Sequence, residues 1–444
     1  MPPPAPVRSR TVHGAADLLA AYLPGSFYYS SARGCLLADG VRTRVRADAA
    51  NRAEAVAEAL DEALLAGAGN PVVVGAIGFR PDAASSLVVP EVVRWAGAPG
   101  GPVPDGPAFG GPASGGPPPD SPAPGGQARR GPVPGNPVHP GPALGNPAHP
   151  GPPAVGSAGY GWSVVPRPAP EVYTEGVRRA LELIRQGGLR KVVLARSLEL
   201  TAAEAVSVPR LLTRLVHADP AAHAFAADVT ADGDPVPRTL VGASPELLVS
   251  RRGPVVVANP LAGSRPRAGE PAEDERRIAG LLASEKDRAE HQHVVAQVAE
   301  VLGRFCGDLE VPAEPEVIGT PAMWHLSTRI TGRVGPGGPS ALALAEALHP
   351  TPAVCGVPLE PARAAIARLE PEDRGYYSGL VGWSGADGDG EWVVTIRCAE
   401  VAGRVARLFA GAGLVEGSDP DAELAETSAK FRTLLRALDA EETA

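Results

Sequence analysis

Between Gly97 and Gly156, thirty-five of sixty residues are glycine or proline, out of 53 glycines and 50 prolines in the whole chain. Proline removes a backbone donor and fixes φ, while glycine loses the most freedom on ordering. The stretch holds one aromatic, Phe109, and almost no Ile or Leu, so it cannot bury enough apolar surface to offset its ordering entropy. A ten-residue motif repeats imperfectly, as Gly135-Asn136-Pro137-Val138-His139-Pro140 and then Gly145-Asn146-Pro147-Ala148-His149-Pro150. The composition predicts a disordered insertion of polyproline character. The chain is therefore read as a folded part over 1–96, an insertion over 97–157, and a second folded part over 158–440. His139 and His149 are weak metal candidates, one per repeat and without carboxylate or cysteine nearby. Proline-rich sequence of this kind suits weak SH3-like or WW-like protein partners.

The remaining composition excludes several classes. A net charge of −9 argues against nucleic-acid binding, which needs a basic face. Met1–Arg10 has four prolines and no apolar core, so no signal peptide is read there. The longest strongly apolar run, near Val72–Phe79, is too short to span a bilayer. Cys35, Cys306, Cys355 and Cys398 are widely spaced, without a CxxC pair, and read as reduced thiols of a cytoplasmic protein.

Periodicity predicts helices over Asn51–Ala66, Pro170–Gln186, Leu211–Ala218, Leu342–Leu348, Glu360–Leu369 and Asp421–Leu438. It also predicts one long helix over Glu273–Phe305. Strands are expected at Pro71–Phe79, Lys191–Leu200, Thr239–Ser250 and Gly253–Asn259. Glu391–Val401 and Arg404–Ala410 are expected as a pair turning at Gly403. Helices and strand pairs intermix without a strict alternation, which favours an α+β fold over a doubly wound parallel sheet.

Several residues stand out chemically. Lys191 opens an apolar strand, Leu189–Ser197, where a lysine is costly unless exposed, paired or used. Glu290 ends the helical stripe Val294, Val298, Val301, within the ionisable segment Ser284–His291. A solvated helical turn is an equally physical reading of that segment. Glu426 and Lys430 are spaced i,i+4 beside the apolar stripe Thr427, Phe431, Leu434, Leu438; an exposed ion pair would look the same. Arg397 is expected in a strand with Thr395 on the same face, suited to bidentate carboxylate binding or to a rim ion pair with Glu400. Glu246 precedes an apolar strand, where partial burial would make it a general acid. Small-residue loops at Leu261–Arg265, Pro352–Gly356 and Ala410–Gly413 allow close backbone approach to an anion. None is a Walker A or a complete GxGxxG, so no nucleotide site is read.

Together these segments resemble the chorismate-utilising enzymes, a family that includes isochorismate synthase, salicylate synthase, anthranilate synthase component I and aminodeoxychorismate synthase component I. The resemblance covers about residues 15–95 and 158–440. It rests on KVVLAR at 191–196, GASPELL at 242–248, PLAGSRPR at 260–267, LLASEKDRAEH at 281–291 and WHLST at 324–328. LHPTPAVCG at 348–356, EWVVTIRCA at 391–399, RLFAGAG at 407–413 and AETSAK at 425–430 continue it in the family's order. Lys191, the HPTPAVCG loop and WHLST resemble the water-using branch that serves catecholate siderophores. The AET of the last motif, where a bulkier residue often precedes Glu-Thr, and the long insertion depart from the family pattern.

The resemblance implies one large chorismate-binding domain, two packed antiparallel β-sheets with helices outside. It implies conversion of chorismate to isochorismate, with Lys191 as the base that activates water at C2 and Glu246 as the acid that assists loss of the C4 hydroxyl. It implies Mg²⁺ held by Glu290 and Glu426, and chorismate held by Gly263, Ser264, His325, Thr395, Arg397, Gly411, Gly413 and Lys430. A monomer suffices for this site. The alternatives are a salicylate synthase, which goes on to eliminate pyruvate, a menaquinone-pathway isochorismate synthase, an amine-using relative, or a scaffold that works through its proline-rich segment.

Overall fold

Lys191–Thr201 is an eleven-residue strand whose side chains alternate strictly between two packing environments. Val192 and Leu194 pack against the helices Pro170–Arg185 and Leu359–Leu369, beside Val177, Leu181 and Ile366. Val193 faces the other way, toward the site described below. The helix before it carries Val177, Ala180, Leu181 and Ile184 buried at the expected spacing and stops at Gly187, which takes φ +79°. Each buried Val, Leu or Ile of such a face contributes roughly 1.5–3 kcal/mol.

These relationships come from a computed structural model, which describes residues 8–11, 14–97 and 161–441. The insertion read at 97–157, with His139 and His149, lies outside the described residues but for Gly97. Among the described residues the strands form sheets of eleven, nine and three. Pairing is antiparallel throughout, except that Arg8–Thr11 runs parallel to Val92–Ala96 at one edge. Residues on both sides of the insertion share these sheets: Phe27–Ser31 pairs with His223–Asp228 in the largest, and Val72–Ile77 with Leu380–Gly385 in the second. The two large sheets pack through one core containing Tyr29, Phe225, Leu240, Leu247, Val249 and Trp392. The helices Val208–Ala218 and Pro420–Leu438 cover the outside of the largest sheet through Leu211, Leu215, Phe431 and Leu434. This is the α+β arrangement expected, with a third small sheet, Leu261–Pro266, Met323–Ser327 and Glu316–Gly319, added to it.

Five segments differ from the sequence reading: Ala410–Gly413, read as a loop, continues the strand Val405–Leu414, and three of the other four build the site. Thr239–Ser250 is two strands, Arg238–Ser244 in the largest sheet and Leu247–Arg252 in the second. The break falls at Pro245, which has no N–H for a ladder. The segment read as one strand over Glu391–Val401 ends at Val394 in the second sheet and restarts at Cys398 in the largest. Arg397, at this crossing, takes φ +50° and is not in a strand. The apolar residues on either side made the two pieces read as one. Pro260 likewise ends Val255–Asn259 and sends Leu261–Pro266 into the small sheet. Finally, Glu273–Phe305 is two helices, Pro271–Ala283 and Glu285–Leu302. Ser284 leaves the helical region with ψ 110°, and its side chain accepts from the Asp287 N–H as the second helix's cap.

Among the described residues the four cysteines are free and buried. No described helix is long and apolar enough to cross a membrane.

Candidate active site

The three crossings converge with the Lys191 strand around a cavity of about 540 Å³, counted to its open mouth. Lys191 is fully buried, and its Nζ lies 2.9 Å from Glu290 Oε1. The angle of this contact is not that of a hydrogen bond, and Nζ has no hydrogen-bond partner among the described residues. The contact is therefore an ion pair held by proximity. Gly413 pairs with Val193 on the neighbouring strand, Val405–Leu414. A Cβ at Gly413 would overlap Glu290 Oε1 and come within 3.1 Å of Lys191 Cε, so glycine is required for the carboxylate to reach the lysine.

Glu246 sits on the first crossing, 3% exposed, with Oε1 lacking a hydrogen-bond partner among the described residues. Burial pushes its carboxyl up to about 7, against the opposing pull of Arg397, a Leu261 backbone contact and two lysines. Its backbone is fixed by two bonds: Glu246 N–H donates to Ser244 Oγ at 3.2 Å, and Val394 N–H donates to Glu246 O at 3.2 Å. The second of these ties the Glu246 crossing to the one that bears Arg397. Gly242 allows that closeness, since a Cβ there would lie 2.8 Å from the Arg397 carbonyl oxygen.

A buried polar chain runs across the cavity. Arg397 Nη2 donates to His325 Nε2 at 3.0 Å, and His325 Nδ1 lies 2.8 Å from Ser264 Oγ. A guanidinium can only donate, so Nε2 accepts and the ring proton is assigned to Nδ1, facing Ser264. Burial, then the charges of Arg397 and Lys430, hold the imidazole well below its usual range, which keeps it neutral. Ser264 accepts from it and retains its own O–H for a ligand. On the last helix, Lys430 Nζ lies 2.6 Å from Glu426 Oε1 and donates to the Gly411 carbonyl at 2.8 Å.

Of the sequence candidates, Glu246, Gly263, Ser264, Glu290 and His325 line the cavity, as do Arg397, Gly411, Gly413, Glu426 and Lys430. Lys191 lies one layer behind, against Gly413 and Glu290. Thr395 does not line it: its carbonyl accepts from Ser378 N–H, and its buried hydroxyl has no partner among the described residues. Its neighbour Ile396 faces the cavity instead. Tyr377 was missed by the sequence reading. It lines the cavity, stacks on Phe409 at 5.3 Å, and brings its hydroxyl within 2.9 Å of where a Gly411 Cβ would stand. Only the Tyr376-Tyr377 pair between Gly375 and Gly379 hints at it, and no charge pattern marks it.

Glu290 and Glu426 each give one oxygen to a lysine and leave the other without an ion pair or hydrogen bond among the described residues. No group of three potential ligands occurs among the described residues. Two hard carboxylate oxygens in one cavity fit Mg²⁺, which keeps waters and substrate oxygens among its ligands rather than a full protein cage.

Residues 162–439 match the family described as chorismate binding enzyme. Over 430 residues, 96% of each chain, the sequence is 45% identical to the isochorismate synthase DhbC of Bacillus subtilis. It is 47% identical to the vibriobactin-specific isochorismate synthase of Vibrio cholerae over 274 residues, 62% of this chain and 68% of that one. A crystal structure from Bacillus anthracis, described as a 2,3-dihydroxybenzoate-specific isochorismate synthase, superposes with a TM-score of 0.81 at 39% identity, covering 96% of this chain and 99% of that one.

Proposed function

This chain belongs to the chorismate-binding enzyme family, and from that membership we infer that it is an isochorismate synthase whose product feeds 2,3-dihydroxybenzoate siderophore synthesis. The observation that carries the assignment is the similarity along nearly the whole of both chains to isochorismate synthases. The cavity is consistent with it, having cations placed for a dicarboxylate and a protonatable acid among them.

The chemistry needs a base and an acid. An oxygen must bond to C2 while the C4 hydroxyl leaves across the conjugated ring. Water must lose a proton to attack, and hydroxide must gain one to depart. Glu246, with its carboxyl pushed up to about 7, holds a proton near neutrality and gives it to the departing C4 oxygen. Lys191 takes the proton of the attacking water. Water is consumed and water is released, so the net change is an isomerisation.

Arg397 and Lys430 hold the substrate carboxylates, with Ser264 donating its hydroxyl. His325, neutral and fixed between Ser264 and Arg397, sets the guanidinium's plane. Glu290 and Glu426 would hold Mg²⁺. Bound there, it would supply positive charge beside the ring carboxylate as electrons shift. Gly411 and Gly413 keep this wall free of side chains.

The deciding experiment is incubation of the purified chain with chorismate and Mg²⁺. Isochorismate is expected to accumulate with neither salicylate nor pyruvate. Salicylate formed without a second enzyme would place the chain with the salicylate synthases instead.

A further inference from the structure

The Lys191 strand loses its neighbour on one side almost at once. Gly356–Val357 pairs only with Val192 and Lys191, and Val193 N–H then donates to Cys355 O at 2.8 Å. The next two ladder groups on that edge are met by side chains rather than by a strand. Arg374 Nη2 donates to Val193 O at 2.9 Å, and Ala195 N–H donates to Glu370 Oε1 at 2.8 Å. Arg374 and Glu370 are themselves a two-point ion pair, Nε to Oε2 at 2.8 Å and Nη2 to Oε1 at 2.5 Å. Their side chains are 3% and 7% exposed, and the guanidinium lies 4.4 Å above the Phe79 ring centre.

Capping a strand edge would explain this much. One further bond is not needed for a cap: Arg374 Nη1 donates to Val354 O at 2.7 Å. Val354 and Val193 belong to different segments, and both line the cavity. A single planar group therefore bonds the backbone of two cavity walls, while its carboxylate partner bonds the same strand two residues on. We propose that the Arg374–Glu370 pair is a positioning device that sets the separation of the Val193 and Val354 walls, and through it the fit of the substrate. The proposal rests on the reading of this cavity as the chorismate site. A lysine at 374 keeps the charge but has no rigid fork, so it cannot hold two carbonyls and a carboxylate in one plane.

The test compares the full chain with Arg374→Lys and Glu370→Gln. It measures the melting temperature, kcat and KM for isochorismate formation per folded molecule, and the chorismate dissociation constant by calorimetry without Mg²⁺. Arg374→Lys is expected to raise KM and the dissociation constant together, by roughly tenfold, as lost uniform binding does. A mere edge cap predicts a lower melting temperature and less folded protein, with KM and the dissociation constant unchanged, and that result overturns the proposal. If Arg374→Lys does not fold, Glu370→Gln decides. It keeps an acceptor for Ala195 and Arg374 but loses the charge that locks the fork, and unchanged KM and dissociation constant there overturn the proposal equally. A wild-type chain that binds chorismate but forms no isochorismate contradicts the functional reading alone, and the dissociation constants still judge the clamp.

Discussion

Lys191 Nζ and Glu290 Oε1 meet at 2.9 Å beside Gly413, where a Cβ would lie 2.3 Å from that carboxylate oxygen. Gly413 supplies that space from the adjacent strand. Gly413→Ala is expected to push the carboxylate away from the lysine and to cut kcat by roughly a hundredfold, the scale of a catalytic misplacement of about 1 Å. Because the strand register is retained, circular dichroism should be unchanged. Wild-type turnover in the folded variant would show that the contact is dispensable.

Glu246 gives the reaction a pH limit. Its carboxyl is raised to about 7 by burial, so it holds the proton below that pH and loses it above. The acid-dependent limb of kcat is expected to bend near pH 7 and fall tenfold per unit beyond it. Glu246→Gln should abolish that limb and lower kcat by roughly 10²–10⁴. A pH–rate profile identical in the variant would remove Glu246 from the chemistry.

The proposed metal ligands can be tested without turnover. Mg²⁺ at a hundredfold excess over its dissociation constant should stabilise the wild type by about 2.7 kcal/mol. Glu290→Gln and Glu426→Gln should each lose most of that thermal shift, and chelation should stop the wild-type reaction until Mg²⁺ is returned. An equal Mg²⁺ shift in all three proteins would place the ion elsewhere.

Away from the cavity, Glu391 is a buried carboxylate between the two large sheets. It accepts from Tyr29 Oη at 2.9 Å and lies 3.2 Å from His223 Nδ1 and 3.5 Å from Arg33 Nη1. Burial alone would raise its carboxyl, but the contacts with His223, Arg33 and Ser31 outweigh burial and hold it at about 2. A carboxyl depressed from the usual 4.5 to about 2 contributes about 3 kcal/mol of stability. That contribution is complete above pH 4.5 and disappears as pH falls through the interval to 2. Glu391→Gln should therefore destabilise the fold by about 3 kcal/mol at pH 7 in urea unfolding, and by progressively less below pH 4.5. A loss independent of pH would mean that packing, not charge, is what Glu391 provides.

The sequence carried the elements better than their junctions. Helical spacing located Pro170–Arg185 and Pro420–Leu438 to within a residue or so, because one face of each is apolar and caps or glycines mark the ends. The crossings at Glu246 and Arg397 were not legible. Apolar residues continue on both sides, and nothing local says that the chain passes from one sheet to another. Pro245 and Pro260 were the available signals for two of these breaks. The left-handed φ of Arg397 had none, since arginine rarely adopts it. Ser284 could have been recognised, as a serine three residues before Asp287 is a capping pattern. The charged members of the site were legible as residue types out of place. Tyr377, Val193 and Val354 were not legible as cavity walls, because an apolar side chain facing a cavity reads like one facing the core.

The central claim is that water activated by Lys191 becomes the C2 hydroxyl. Its most direct test is the reaction run with Mg²⁺ in water enriched in oxygen-18, with the product's mass read after short incubation. The account predicts isochorismate carrying one heavy oxygen, at C2, in proportion to the enrichment, and loss of that product in Lys191→Ala. Isochorismate without the heavy oxygen would mean that the substrate's own hydroxyl migrates, and would contradict the account.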